Sequence, residues 1–234
     1  MRLASKDPLK LDFQVSKLER ETLHDRAYHE LRKAIMSGAI RPGSIITIRA
    51  MAAALGTSPM PVREALRRLV AERALETLPT RSVTLPTMTP TRFDEICRIR
   101  IALEGMVSET GAERITPEAL RRMHQIQSEM HRMKPNRAVE YLAKNQELHF
   151  TLYEAAGMPV AMQMIESLWL QAGPHLNLSI AEGGFSMGED HHRDLLEALS
   201  RHDVKAARAA IEADISDAAI IIRKFLESRK VSAA

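Results

Sequence analysis

This chain of 234 residues is poor in aromatic side chains, which make up 4% of it, and it contains a single cysteine. Aromatic residues are enriched in strands, whereas Ala, Leu and Met favour helices, so the composition indicates packed helices rather than sheets. Cys97 has no partner for an intrachain disulfide, and we expect it to be a small buried side chain. The apolar fraction of 45% is sufficient for two domains or one large one.

The sequence also lacks any run of about 18 apolar residues, which a membrane-spanning helix would require. Its first seven residues, MRLASKD, contain no apolar segment of the kind found in signal peptides. We therefore expect a cytoplasmic protein that has no membrane partner.

The net charge of +3 is small, but it is unevenly distributed along the chain. Residues 1–88 hold 15 Lys and Arg against 9 Asp and Glu, and the remainder holds 18 against 21. A basic first part suits contact with nucleic acid, and a mildly acidic second part suits a different task.

Residues 48–75 have the pattern of two short helices joined by a tight turn. The first helix is expected to end at Gly56, because glycine readily adopts the left-handed conformation of a helix end. Thr57 and Ser58 can cap the second helix, and prolines fit its first turn. Apolar residues recur on one face of this helix, and the other face carries Arg63, Arg67 and Arg68. The pattern is typical of a helix-turn-helix, although an ordinary surface hairpin with solvated arginines has it too.

The flanking segments complete a winged helix. A helix is predicted over residues 22–37, and a short apolar run follows at 45–46. Residues 75–78 and 83–85 alternate in polarity like the two strands of a hairpin. The order helix, short strand, helix, helix, hairpin is that of a winged helix-turn-helix.

Residues 22–85 resemble the DNA-binding domain of the GntR family of bacterial transcription regulators. The resemblance lies in LRKAIMSGAIRPGSII, in ALGTSPMPVREALRRLVAE and in the apolar hairpin that follows. It implies that double-stranded operator DNA is contacted by Arg49, Ser58, Met60, Pro61, Arg63, Arg67, Thr80 and Arg81. Among these, Arg49 and Arg63 are expected to contact base edges or phosphates.

The chain departs from the family pattern at three positions in this region. Pro59 stands where many relatives carry a basic residue, so one DNA contact is missing. Arg73 and Ser82 stand where glycines are usual, after the recognition helix and in the wing. The resemblance therefore does not fix the path of the wing.

From about residue 91 nearly every segment has helical periodicity, and short loops separate six segments, which predicts an antiparallel bundle. A break in the fourth helix is expected at Gly173–Pro174. The sequence thus predicts a mostly α protein, in which an N-terminal winged helix-turn-helix is joined to a C-terminal antiparallel all-helical bundle. The predicted organisation is a flexible arm at 1–21, the winged helix at 22–85, a linker at 86–90, and an effector-binding and dimerisation domain at 91–229.

The second half resembles the FCD ligand-sensing domain of the FadR subfamily of GntR regulators. The runs that carry the resemblance are RIALE, NQELHFTLYEAAGMP, HHRDLLEAL and HDVKAARAAIEADI. It implies a homodimer that responds to a small-molecule effector, and in some FCD domains a divalent metal ion is bound.

Four side chains that can bind a metal ion fall on inward-facing stripes of three predicted helices: Asn145, His149, His192 and Asp214. Burying polar groups without partners costs about 1–3 kcal/mol each, so their coincidence suggests a shared ligand. Metal-binding FCD domains have Asp-x-x-x-His on one helix and a His on each of the last two. This chain has Asn145 in place of the Asp and Asp214 in place of the last His. Two imidazoles and a carboxylate favour Zn(II) or Ni(II). The alternative is a metal-free hydrogen-bond network around an organic ligand.

The effector is expected to contact some of the same residues: Arg100, Asn145, His149, His192 and Asn177. Arg100 matches the Arg of the subfamily's R-x-x-x-E pattern, and a free arginine there would favour a carboxylate ligand. The alternative is a buried pair with Glu104 at helical i+4 spacing. Trp169 and His175 could line the same cavity.

These features predict a ligand-responsive transcription regulator, more specifically a repressor that binds a palindromic operator as a dimer. The alternative is a metal-dependent hydrolase or lyase fused to a DNA-binding head, which would need a general base or nucleophile beside the metal. Only Glu147 and Glu154 are near in sequence, and Glu147 points away from the ligand face. No Ser or Cys nucleophile motif is present, so we expect no enzymatic activity.

Overall fold

A computed structural model of the chain describes residues 22–181 and 187–231. Within these ranges a winged helix is followed by a helical bundle, which confirms the predicted mostly α class. The predicted arm at 1–21 and residues 182–186 lie outside the described part of the chain. None of the helices in the described ranges is long and apolar enough to cross a membrane.

The winged helix is built from three helices and a two-stranded sheet: α1 (Leu23–Met36), α2 (Ile48–Ala54), α3 (Pro59–Ala71), β1 (Glu76–Thr77) and β2 (Val83–Thr84). Thr22 and Asp25 form a capping box that starts α1. The buried face of α1 packs against α3. Ile46 forms an antiparallel bridge with Val83, on the side of β2 that faces away from β1. It lies in the apolar run at 45–46, where a short strand was predicted.

Two arginines adopt the left-handed backbone conformation that usually favours glycine. Arg73 has φ of 59° just after α3, where its N–H bonds the Val70 carbonyl and the next N–H bonds that of Leu69, as in a Schellman motif. Arg81 has φ of 62° in the turn of the wing. Each residue costs about 1–2 kcal/mol relative to glycine. The glycine usual at Ser82 is therefore not required here, because the strained position in this wing is Arg81.

Over residues 90–181 and 187–231 the bundle contains six helices and one short 3-10 helix: α4 (Pro90–Arg114), α5 (Pro117–His131), the 3-10 helix (Pro135–Arg137), α6 (Ala138–Ala155), α7 (Pro159–Ala181), α8 (Met187–Ser200) and α9 (Val204–Val231). Helix α4 is central and packs on α6, α7 and α9. Its N-cap is Thr89, whose hydroxyl accepts from the Arg92 N–H, so Pro90 belongs to the helix rather than to the predicted linker.

Glycine permits the close approach of α4 to α6. A side chain at Gly111 would collide with the backbone carbonyl of Leu152. The two helices therefore touch backbone to backbone at this level, at the residue next to Tyr153 on α6 and two turns from Glu104 on α4.

The predicted break at Gly173–Pro174 is wrong, because α7 runs without interruption from Pro159 to Ala181. Pro174 removes one backbone N–H, which weakens the helix locally. Packing compensates: a Cβ on Gly173 would lie 2.5 Å from the carbonyl oxygen of Met36, so α7 rests against the end of α1.

Helix α1 also joins the bundle through polar contacts. The Arg32 guanidinium lies 2.8 Å from Glu166 on α7, and the amide of Gln146 on α6 lies 2.9 Å from the Met36 sulfur. The winged helix thus packs on α6 and α7, the helices that carry His149 and Trp169.

Candidate functional site

The N-terminus of α3 presents a hydroxyl that the helix does not use. Ser58 is the N-cap residue, but its side chain makes no capping hydrogen bond, contrary to the sequence prediction. Such a bond usually goes to the N–H of the second or third helical residue, and the third residue is Pro61, which has no N–H. The exposed Ser58 side chain can therefore donate to a phosphate at a helix N-terminus, where anions are favoured.

Most of the predicted DNA-contacting side chains lie on the exposed surface of the winged helix: Arg49 on α2, Met60, Arg63 and Arg67 on α3, and Thr80 and Arg81 in the wing turn. Among the described residues, neither Arg49 nor Arg63 forms an ion pair with a carboxylate. Arg67 is paired with Glu64 at 3.3 Å, both largely exposed, so this pair contributes little. Pro61 differs, because it is buried against the core of the domain and its placement does not support a DNA contact.

Arg68 has a structural role that the sequence pattern did not separate from those of its neighbours. Its guanidinium lies 3.7 Å from the ring centroid of Tyr28 on α1, and it also pairs with Glu72. The Tyr28 hydroxyl donates to Glu72 at 2.6 Å, and burial raises the pKa of this tyrosine to about 12. Arg68 therefore joins α3 to α1. The i+4 spacing of Arg68 and Glu72 was the signal in the sequence.

Three of the four predicted metal-binding side chains come together inside the bundle. The ligand atoms of His149 on α6, His192 on α8 and Asp214 on α9 all lie within 4.8 Å of one another. The two Nε2 atoms are 3.3 Å apart, and His149 Nε2 is 3.3 Å from the Asp214 carboxylate. Asn145 stands one turn before His149 on α6 and is half-buried. The donor set fits a divalent ion of the Zn(II) or Ni(II) type.

The electrostatics of this cluster favour a cation. Burial lowers the pKa of His192 to about 4, so its imidazole is neutral at physiological pH. Burial alone would raise the pKa of Asp214, but the close contact with His149 and the other nearby imidazoles outweigh it and lower the pKa to about 2. The cluster therefore offers a carboxylate anion and a neutral imidazole nitrogen, both of which are metal ligands without loss of a proton.

Arg100 is not free, because it forms the buried pair with Glu104. Its Nε lies 2.6 Å from Glu104 Oε1, and its guanidinium stacks 4.7 Å from the Trp169 ring centroid. Glu104 has no exposed surface, and its Oε2 accepts from the Tyr153 hydroxyl at 2.7 Å and from the Trp169 indole at 3.0 Å. Burial works to lower the pKa of Arg100, but the Glu104 carboxylate outweighs it and raises that pKa.

Tyr153 and Trp169 connect this pair to the histidine–aspartate cluster. The Tyr153 hydroxyl lies 2.9 Å from Nδ1 of His149, and the Trp169 ring meets His149 edge-on at 5.5 Å. The sequence alone indicated no role for Tyr153. Its spacing of one turn from His149 was the available signal, but the partner on α4 became evident only with the helices in place.

Two other predicted cavity residues have different outcomes. His175 is buried against Phe93 and lies next to Leu85 at the base of the wing, so it does not line the space around His149. The side chain of Asn177 lies outside the described part of the structure. Glu147 pairs with Arg122 and Lys144 on the outer side of α6, so it is not beside the cluster.

Comparison with known families divides the chain as its fold does. Residues 23–85 match the bacterial regulatory proteins of the gntR family, and residues 95–217 match the FCD domain. The second match alone covers more than half of the chain.

Two curated relatives illustrate the extent of the similarity. The HTH-type transcriptional regulator McbR of Escherichia coli is 30% identical over 196 residues, which is 82% of this chain and 89% of McbR. The gluconate operon transcriptional repressor of Bacillus subtilis is 36% identical over 84 residues, which is 36% of this chain and 34% of that protein.

Solved structures share the whole architecture. Escherichia coli McbR/YncC superposes with a TM-score of 0.81 at 27% identity, covering 88% of this chain and 100% of that one. A transcriptional regulator GntR from Rhodococcus sp. RHA1 superposes with a TM-score of 0.66 at 20% identity, covering 85% and 96%, and this likeness concerns the fold alone.

The buried pair predicts a large effect of a small substitution. Glu104→Gln is expected to lower the free energy of unfolding by about 3–5 kcal/mol, because it leaves the buried Arg100 charge without a counter-charge. Chemical denaturation of the full chain measures this loss.

A matched control exists on α9. Arg208 and Glu212 have the same i+4 spacing and the same Nε–Oε1 distance of 2.6 Å, but both side chains are about one third exposed. Glu212→Gln should cost far less, because solvent screens the pair. Equal losses for the two variants would contradict the assignment of Glu104 as the buried anchor.

Proposed function

Because this chain belongs to the gntR family of bacterial regulatory proteins and carries an FCD domain, it is a transcriptional regulator rather than an enzyme, and we propose that it is a metabolite-responsive repressor. In this proposal a homodimer binds a palindromic operator, and a small carboxylate effector changes the affinity. The observation that carries the proposal is the pairing of an exposed arginine-bearing recognition helix with a separate buried cluster of His149, His192 and Asp214.

The DNA contact is proposed for the N-terminal end of α3. Ser58, Met60 and Arg63 project from this end, and Arg49 lies at the start of α2. A recognition helix enters the major groove with its N-terminal residues against base edges. The wing residues Thr80 and Arg81 are proposed to contact the flanking backbone. Repression is suggested by the similarity to the gluconate operon relative, which is a transcriptional repressor.

Replacing Arg63 by alanine is expected to weaken operator binding by about 1–3 kcal/mol and to relax the sequence preference at one base pair. The reason is that an arginine can donate two hydrogen bonds to the edge of one guanine. Arg49→Ala should either do the same or lower the salt dependence, if Arg49 contacts a phosphate. Gel-shift titration at two salt concentrations, with a duplex selected from random sequences by the wild-type protein, measures both effects.

Arg121→Ala is the control for this experiment, since Arg121 lies on α5 and its side chain is 68% exposed. It removes the same charge far from the recognition helix and should leave the titration unchanged. If Arg63→Ala and Arg49→Ala also leave it unchanged, the DNA-contacting face has been misassigned.

A second copy of the chain is proposed to cover the outer face of α4. Ile99 and Met106 are exposed on this helix, and Ala102 and Leu103 lie between them at helical spacing. An apolar stripe of this kind on a helix whose other face is buried marks a protein contact. A dimer is also what the DNA proposal requires, because one winged helix supplies one recognition helix.

The double variant Ile99→Glu, Met106→Glu is expected to be monomeric at micromolar concentration, because it places charges in the apolar interface. It should also lose operator affinity, since two linked heads bind more tightly than one. Sedimentation velocity measures the first effect.

Val160→Glu is the control, because it changes an even more exposed apolar residue on α7 and should remain dimeric. A dimeric double variant, or a monomeric wild type that still binds DNA tightly, would contradict the proposal.

The buried cluster is proposed to hold a divalent metal ion, Zn(II) or Ni(II), through His149, His192 and Asp214, with Asn145 as a weaker fourth donor. The ion would supply a positive centre for a carboxylate effector. Arg100 was the predicted carboxylate partner, but Glu104 occupies it, so the metal and the Asn145 amide are the better candidates. The Asn177 side chain stays a predicted effector contact.

Elemental analysis of protein purified without chelator or nickel resin should find one ion per chain. At an ion concentration of about 100 times the Kd, binding would add about 2.7 kcal/mol to the free energy of unfolding of the wild type. His149→Ala should lose both the ion and this stabilisation, and Asn145→Asp should bind more tightly because it adds a negative charge. Thermal melting with and without Zn(II) measures the stabilisation.

His191→Ala is the matched control, because His191 neighbours His192 but pairs with Asp217 outside the cluster. It should keep the ion. Wild-type protein that contains no metal, and whose melting is unchanged by Zn(II), would favour the metal-free hydrogen-bond network instead.

A further inference from the structure

The Tyr153 hydroxyl stands between a cluster histidine and a buried carboxylate. It lies 2.7 Å from Glu104 Oε2 and 2.9 Å from His149 Nδ1. A hydroxyl has a single proton, so it can donate to only one of these two groups and must accept from the other.

The surroundings decide which way this proton points. Glu104 receives the Arg100 guanidinium and the Trp169 indole N–H, so it is an acceptor. A tyrosine hydroxyl has an ordinary pKa of about 10, so it keeps its proton at neutral pH. The Tyr153 proton therefore goes to Glu104, and the Tyr153 oxygen is left to accept a hydrogen bond from the imidazole. On the other side of the ring the Asp214 carboxylate competes for the imidazole proton, but its 3.3 Å contact with Nε2 is longer than the 2.9 Å contact at Nδ1. His192 Nε2, 3.3 Å from the same nitrogen, can supply the proton that an unprotonated His149 Nε2 accepts.

From this geometry we infer that Tyr153, held by Glu104, is a positioning residue that keeps a proton on Nδ1 of His149 and presents Nε2 to His192 and Asp214. The inference concerns the tautomer of His149 in the protein itself. Its consequence for metal affinity rests on the proposed metal site. Partners of this kind orient a ligating histidine and fix its tautomer.

His192 offers a contrast within the same cluster. Its Nδ1 is buried and has no hydrogen-bond partner among the residues that the structure describes. The two imidazoles are thus held differently: within the described ranges His149 has polar contacts at both ring nitrogens, whereas His192 has them at Nε2 and none at Nδ1. Removal of the Tyr153 hydroxyl should accordingly affect His149 in particular.

Tyr153→Phe is the direct test, because it removes the hydroxyl and retains the ring. In the metal-free full chain labelled with ¹⁵N-histidine, long-range ¹H–¹⁵N correlation distinguishes protonated from unprotonated ring nitrogens. His149→Gln identifies the His149 signals by their loss. At neutral to mildly alkaline pH, the wild type should show a protonated Nδ1 at His149, and Tyr153→Phe should shift the proton to Nε2 or to a mixture of tautomers.

Trp169→Phe is the matched control. It removes another donor to the same Glu104 oxygen and leaves the Tyr153 hydroxyl in place, so the His149 tautomer should not change. A wild-type spectrum in which His149 Nδ1 is unprotonated would overturn the inference without any variant. So would a Tyr153→Phe spectrum identical to that of the wild type.

Zn(II) affinity, measured by competition with a chelating dye, gives the second readout. Loss of an outer-shell partner typically lowers metal affinity by about 10- to 100-fold, and Tyr153→Phe should fall in this range. If the wild type binds no Zn(II) but Tyr153→Phe still changes the His149 tautomer, the proposed metal site is refuted and the positioning role is supported. Unchanged Zn(II) affinity in a Tyr153→Phe protein with an altered tautomer would overturn the consequence for the metal.

Discussion

A carboxylate with no exposed surface has to be neutralised and fully hydrogen-bonded, and Glu104 meets this requirement with donors from three helices. Arg100 supplies the charge from the same helix, Tyr153 reaches it from α6 and Trp169 from α7. Each donor can reach Glu104 only if its helix has one particular rotation about its axis. The arrangement of α4, α6 and α7, and with it the orientation of His149, therefore depends on this one buried anion.

Helix α7 connects the packing around Glu104 to the winged helix. Trp169 and Glu166 lie three residues apart on α7, and Glu166 holds Arg32 of α1 at 2.8 Å. Arg32 in turn donates to the hydroxyl of Tyr28, which donates to Glu72 just after the recognition helix. A contiguous series of side chains thus extends from the buried cluster to the end of α3. A shift of α7 relative to α4 would change the contacts of α7 with α1, and α1 packs against the recognition helix. The proposed effector could change the position of the recognition helix in this way.

Helical periodicity predicts which side of its own helix a residue occupies, and this was sufficient to predict that His149, His192 and Asp214 would meet. It does not fix how closely two helices approach, and the contact of Tyr153 with Glu104 depends on the backbone contact at Gly111. The misplacement of His175 has another cause: it stands six residues after Trp169, and helical periodicity itself turns it to a different side of α7. The absent cap at Ser58 was predictable, since a proline three residues on has no N–H to donate.

The position of the single carboxylate in the cluster determines which helices the proposed ion would join. Asp214 stands on α9, so an ion held with His149 and His192 would join α6, α8 and α9, whereas Glu104 joins α4, α6 and α7. Helix α6 is common to both groups, and on it His149 and Tyr153 are one turn apart and hydrogen-bonded to each other. A movement of His149 toward the ion would therefore displace the Tyr153 hydroxyl from Glu104. The proposed ion and the Glu104 carboxylate are therefore coupled through one turn of α6. Helix α7 is coupled to the ion as well, because its Trp169 donates to the same carboxylate.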